Sequence, residues 1–159
     1  MGKIIHILYD IIIENVIKVI GIIMVLTILL QIFSRTFMKV PFAWTEELSR
    51  ITFMWFCFLG SSIAMKKKAH LGIDYFANKF SKTAKFINEI IIYILIGCFG
   101  FALAFYGIQV TKIMHKQLAS VLRIPMSYFY AVIPITGILF LILAVYFLIE
   151  MFKSKSHKM

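Results

Sequence analysis

An all-α integral membrane protein with four transmembrane helices is the fold class this sequence predicts, on three observations. Of its 159 residues 62% are hydrophobic and 15% charged, whereas soluble domains run near half apolar and a quarter charged. Four stretches carry no charge at all: 19–34, 51–65, 90–111 and 124–149. The charges that remain gather at the ends of those stretches, where hydrocarbon gives way to headgroups.

A helix rises ~1.5 Å per residue and needs ~20 residues to cross a ~30 Å hydrocarbon core. The third and fourth stretches are long enough unaided. The first two suffice once Lys18, Arg35, Arg50 and Lys66 extend their long side chains toward water. The predicted spans are 14–36, 46–66, 88–111 and 126–151, in one four-helix membrane domain over 1–159. No repeat or low-complexity tract divides it.

Residues 3–18 read as a cytoplasmic lead-in to the first span. Asp10, Glu14 and Lys18 recur every four residues and share one helical face, with Glu14 and Lys18 in the favourable order for an ion pair. A signal peptide is the rival reading of the first apolar stretch. That stretch exceeds the ~7–15 residue core of a signal, and Gln31-Ile32-Phe33-Ser34-Arg35 offers no small-x-small cleavage site, so a retained helix is expected.

The second span opens on Trp44-Thr45-Glu46-Glu47-Leu48-Ser49-Arg50, two carboxylates and a guanidinium in the first turns of a membrane helix. Pro41 ends the preceding loop and Thr45 is the expected cap. Glu46 and Glu47 fall where the helix dipole favours negative charge. Arg50 stands four residues after Glu46 and three after Glu47, within reach of either. Local capping and pairing is one reading of this cluster; contact with a partner surface is the other, and the sequence leaves both open. Further along, Gly60 and Ala64, flanked by Ser61 and Ser62, form a short run of small residues.

Residues 66–88 are expected to form an amphipathic cytoplasmic loop. Leu71, Ile73, Tyr75, Phe76, Phe80, Phe86 and Ile87 are interleaved with Lys79, Lys82 and Lys85, a pattern suited to the headgroup layer of an anionic leaflet. His70 and Asp74, four apart, are placed to pair if this segment is helical. In the third span Gly97, Gly100, Ala104 and Gly107 make a small-residue stripe, which lets helix backbones approach closely in lipid. Packing within the chain is the expectation for both small-residue runs. In the last segment Pro125 suits a helix start, and Pro134 either kinks that helix or marks its true beginning. Tyr128, Phe129 and Tyr130 fall at the membrane interface.

The formal net charge of +10 follows the membrane and not a nucleic acid, because the basic residues are divided among loops on both faces. With a cytoplasmic N-terminus the inner segments hold Lys3, Lys18, Lys66, Lys67, Lys68, Lys79, Lys82, Lys85, Lys153, Lys155 and Lys158. The outer ones hold Arg35, Lys39, Arg50, Lys112, Lys116 and Arg123. The positive-inside bias therefore places both termini in the cytoplasm, with the Lys66-Lys67-Lys68 cluster as the main topological anchor.

Catalytic and cofactor chemistry are not expected. Cys57 and Cys98 lie within predicted spans with no CxxC pattern, and are expected to be buried apolar thiols. None of His6, His70, His115 and His157 lies inside a span, and no metalloprotease, serine-hydrolase or phosphate-loop motif is present. No ionisable residue is expected near mid-membrane, where self-sufficient transporters place theirs. A membrane subunit of a larger assembly is the better reading. The competing ones are a stand-alone proton-coupled exporter of the small four-helix kind, with Glu14 as its carboxylate, and a four-helix oxidoreductase using the cysteines or histidines.

The block Phe42-Ala43-Trp44-Thr45-Glu46-Glu47-Leu48-Ser49-Arg50, with Phe53, Trp55, Leu59 and Gly60 after it, resembles the small membrane subunit of the tripartite ATP-independent periplasmic (TRAP) transporters. The similarity continues into His70-Leu71-Gly72-Ile73-Asp74 and resumes at Gln117, Ser120, Leu122, Ile124-Pro125, Tyr130 and Pro134. The three lysines before His70 depart mildly from the arginine and glycine mixtures commoner there. The resemblance implies a subunit of the bacterial inner membrane, without cofactor. It would pair with a large membrane subunit that holds the substrate and sodium sites and moves as an elevator. A periplasmic binding protein would deliver an organic acid to that assembly. On this resemblance Trp44, Glu46, Glu47, Arg50, Gln117, Pro125 and Tyr130 are the candidate partner or scaffold contacts. Lys66, Lys67, Lys68, His70 and Asp74 would serve topology and interfacial anchoring.

Overall fold

The computed structural model describes residue 5 and residues 7–38, 42–77 and 82–156. Helix α1 runs from Ile7 to Met38, with wide π-type turns at each end of a regular α-helical middle. Helix α2 covers Ala43–Ala77 and α3 Lys82–Met114. A single turn, α4 (Ser127–Tyr130), precedes α5 (Val132–Ser156). Four candidate membrane spans result: Ile7–Met38, Ala43–Lys67, Ile87–Met114 and Ser127–Met151. The number of spans and the all-α class agree with the sequence reading.

The helix limits correct it in two places. Residues from Ile7 onward are part of α1 itself, not a separate lead-in, because isoleucine, leucine and tyrosine there continue the apolar surface of the span. The segment 66–88 is mostly helix, not loop: α2 continues to Ala77 and α3 already begins at Lys82. Lysine and alanine are good helix formers, so a basic turn at the membrane edge need not end the helix. The side chains of Lys68, His70 and Asp74 lie outside the described residues, as does Pro41.

The expected cap of α2 is also different. The helix begins at Ala43, and Thr45 is fully buried inside its first turn. Its hydroxyl and its amide both donate to the Phe42 carbonyl, at 2.6 and 3.0 Å. A buried hydroxyl needs an acceptor, and the nearest upstream carbonyl supplies one.

Pro134 stands just after a one-residue interruption of an otherwise continuous span, Ser127–Met151, in which Ala131 keeps helical dihedrals (φ −59°, ψ −25°). It is the third residue of α5, and the interruption falls at Ala131 between α4 and α5. A proline at this position cannot donate to the carbonyl of Tyr130, and its ring crowds that carbonyl, which accounts for the interruption.

The tightest packing joins α3 to α5. A Cβ added at Gly100 would lie 2.9 Å from the Phe140 Cβ and 3.0 Å from the Gly137 carbonyl oxygen; one at Gly107 would lie 2.8 Å from the Pro134 Cδ. A Cβ at Gly137 would collide with the Ala104 backbone. The predicted stripe is thus an intrachain seam, completed by Gly137 across from it. The other small run behaves oppositely. Nothing lies within 4 Å of a Cβ at Gly60, and Ala64 is exposed. Cys57 and Cys98 are likewise exposed and not buried, because each sits on the outward face of its helix.

The α1–α2 and α3–α5 hairpins are staggered. The Trp55 indole N–H donates to the Tyr128 carbonyl at 3.0 Å, and the Tyr9 hydroxyl donates to the Leu139 carbonyl at 2.6 Å. The first tie puts the middle of α2 beside the start of the α4–α5 segment. The second puts the start of α1 beside the middle of α5. The slide is about half a span, on the order of 18 Å at 1.5 Å per residue.

Candidate functional site

The cluster that opened the sequence argument becomes a defined structure at the start of α2. Successive residues on an α-helix point about 100° apart, so Glu46 and Glu47 cannot serve the same side. Glu46 turns outward and meets Arg50 at 3.1 Å, with side chains 61% and 69% exposed. Such a pair stabilises by only ~0.3–0.5 kcal/mol. Glu47 turns inward, half-buried, toward the connection between α3 and α4.

That connection is a closed loop. The amide of Met126 donates to the Gln117 carbonyl at 2.8 Å, and that of Ala119 to the Ile124 carbonyl at 2.9 Å. Leu118 and Pro125 face each other as an antiparallel bridge. At the tip the Arg123 amide donates to the Ala119 carbonyl at 3.2 Å, with Arg123 itself at φ 56°. The left-handed residue reverses the chain at the tip. Three consecutive amides, those of Ser120, Val121 and Leu122, all turn toward Glu47. Ser120 donates to Oε1 at 2.9 Å, Val121 to Oε2 at 3.1 Å and Leu122 to Oε2 at 2.7 Å. Successive amides converging in this way form an anion nest, and here the anion is supplied by the chain itself. Hydrogen bonds to a charged group contribute ~1.5–3 kcal/mol each, so this clamp outweighs the Glu46–Arg50 pair.

The remaining predicted residues fall around the clamp. Trp44 is 40% exposed, its ring 6.4 Å from that of Phe42. Gln117 takes part through its backbone while its side chain is exposed; Pro125 and Tyr130 are half-buried. Sequence reasoning missed His115, whose Nδ1 lies 3.1 Å from the Ser127 hydroxyl at the base of the loop.

A second polar cluster lies at the far end of α2. The Lys66 ammonium meets the Asp10 carboxylate at 2.5 Å, with side chains 21% and 31% exposed. The same ammonium stands 5.8 Å from the centroid of Tyr9, whose buried hydroxyl holds Leu139. Asp10 and Lys66 are at the rims of their own spans, but the stagger sets them beside the middle of α5. Asp10 does not share a solvated stripe with Glu14, which pairs instead with Lys18 at 3.2 Å. Lys67 is exposed. No local pattern announces a contact between residues 56 apart.

Among the described residues no cluster of His, Cys, Asp and Glu is placed to hold a metal ion. The Glu47 clamp joins one hairpin to the other, whereas Asp10–Lys66 ties α1 to α2 within a hairpin and only the neighbouring Tyr9 crosses to α5.

Comparison with known proteins gives the family. One relative is the sialic acid TRAP transporter small permease protein SiaQ of Vibrio cholerae serotype O1, 38% identical over 55 residues, 35% of this chain and 32% of the relative. Another is the sialic acid TRAP transporter permease protein SiaT of Haemophilus influenzae, 29% identical over 110 residues, 69% of this chain but 18% of the relative. The chain thus matches a third or less of the length of these relatives. The family model for the DctQ component of tripartite ATP-independent periplasmic transporters matches residues 24–154, which takes in the clamp, the glycine seam and the second half of α1. The chain belongs to that DctQ family of small TRAP transporter permeases, a transport component and not an enzyme.

Proposed function

We propose that this chain is the fixed brace of a TRAP importer in the bacterial inner membrane, working with a large permease subunit and a periplasmic binding protein. The observation that carries the reading is the Glu47 clamp. A carboxylate and three amides lock a loop onto a helix start, and the two hairpins are further tied by Trp55 and Tyr9. A brace needs that rigidity; a moving carrier needs a site that changes shape, and neither polar cluster offers one. The cargo in this reading is an organic acid, sialic acid being the one named for both relatives. Coupling to sodium would reside in the large subunit. Both termini lie in the cytoplasm on the strength of the lysine bias, which puts the Glu47 clamp at the periplasmic face. The exposed Trp44 and the Glu46–Arg50 pair are then the candidate contacts for partners, while the clamped loop, with Gln117 and Pro125, belongs to the scaffold.

The test is assembly and uptake together. Co-purification with the large subunit and solute uptake are measured after Glu47→Ala and Arg50→Ala. The proposal expects both substitutions to weaken assembly and uptake, Glu47→Ala the more because it also frees the loop; unchanged assembly and uptake in both would remove the docking role. Solute transport by this polypeptide alone in vesicles would overturn the bracing role, and so would labelling that finds Lys67 on the outer face.

A further inference from the structure

We infer that the clamped loop between α3 and α4 is a binding surface for the anionic headgroups of membrane phospholipids. At this end of the molecule the carboxylates are already engaged, Glu46 by Arg50 and Glu47 by the three loop amides. The basic side chains have no such partner: Lys116 and Arg123 are exposed and make no ion pair among the described residues. The loop therefore carries a local positive field that no acidic side chain among the described residues neutralises.

Its apolar side chains decide which kind of anion it meets. Leu118 is 56% exposed, Val121 44% and Ile124 36%, and they alternate with the two basic residues around the loop. In water that much aliphatic surface on a rigid loop is unfavourable. At the boundary of headgroup and acyl chain the same surface is buried, and basic residues beside it reach phosphate. A soluble acidic partner would satisfy the charges alone. The hydrogen bonds that close the loop and the clamp on its amides hold the pattern in place, so little ordering is needed to bind. Tyr128, 61% exposed just below the loop, fits the same layer.

The experiment uses the full-length chain in nanodiscs of phosphatidylcholine with and without phosphatidylglycerol. Retained lipid is counted by native mass spectrometry. The wild type is expected to keep phosphatidylglycerol over phosphatidylcholine, and Lys116→Gln with Arg123→Gln to lose that preference by about fivefold per basic side chain. Lys153→Gln, at the other end of the described chain, serves as the control and should change nothing. A tryptophan at position 121 (Val121→Trp) should be quenched by brominated lipid more than by aqueous iodide. Three results would each overturn the inference: a wild type without lipid preference, a double variant that keeps it, or iodide quenching that exceeds bromolipid quenching. If the double variant keeps its lipid but loses a co-purifying periplasmic protein, the surface is a protein dock instead.

Discussion

The two hairpins are held by different means. Half of the apolar window of Ser127–Met151 is buried, against 6% in Ile7–Met38. The α3–α5 pair is closed by backbones in contact at Gly100, Ala104, Gly107 and Gly137. The α1–α2 pair has one comparable close approach, where a Cβ at Gly21 would come within 3.0 Å of the Phe56 ring. α1–α2 meets the rest through polar ties, Glu47 to the loop amides, Trp55 to Tyr128 and Tyr9 to Leu139, beside an apolar cluster in which Ile13 and Leu59 are buried with Val132, Leu139 and Leu143. Lipid tails are as apolar as leucine, so burial gives helices no general reason to associate in a membrane. Close backbone packing and polar contacts must decide it; the first dominates within α3–α5, and the second stands out where α1–α2 meets it. The consequence is that α1 leaves nearly its whole apolar circumference to lipid or to another subunit.

The contrast can be broken at its strongest point first. Gly137→Val should separate α3 from α5, because the added carbons collide with the Ala104 backbone. Overpacking of this kind costs ~1–3 kcal/mol or more, and thermal unfolding in detergent should show a large drop. Gly60→Val, with open space around it, should leave the same curve in place. Equal effects at the two sites would refute the idea of a single glycine seam.

Next in size is the clamp. Glu47→Gln keeps the shape but removes the charge and one acceptor, and should cost ~2–3 kcal/mol of local stability. Hydrogen exchange at the amides of Ser120, Val121 and Leu122 is the direct readout, and it should accelerate there before it does in α3 or α5. Unchanged exchange would mean the loop holds itself.

The Asp10–Lys66 pair should respond in a way that separates pairing from mere packing. Asp10→Asn or Lys66→Met alone leaves a charge partly desolvated and should destabilise by ~1–3 kcal/mol, while the double variant Asp10→Leu with Lys66→Met should recover most of the loss. Additive losses in that cycle would show that the two residues act separately. The smallest effects are expected from Tyr9→Phe, about 1 kcal/mol for one hydrogen bond, and from Glu46→Gln, within ~0.5 kcal/mol for an exposed pair. A larger loss at Glu46 than at Glu47 would invert the assignment of the two carboxylates.

Much of this was legible beforehand. The glycine and alanine stripe of α3 stood at helical spacing, and its role in the chain followed from what small residues do in lipid. The Trp44–Arg50 block located the candidate site. The pairing of Arg50 with Glu46, and the turn of Glu47 toward residues 73 to 75 positions away, were not legible. Adjacent carboxylates look alike in a sequence, and amides of a distant loop leave no side-chain signal. The lysine-rich segment 66–88 misled for a related reason: charge marks the end of the hydrocarbon, not the end of a helix.

Four spans, charges near their rims and a membrane setting follow from composition alone, because hydrocarbon screens every residue that enters it one at a time. The half-span stagger, the anion nest around Glu47 and the ion pair beside the middle of α5 belong to the tertiary structure. Each depends on where one hairpin stops sliding along the other, and that position is set by a few specific contacts between distant parts of the chain, for which no local pattern is required.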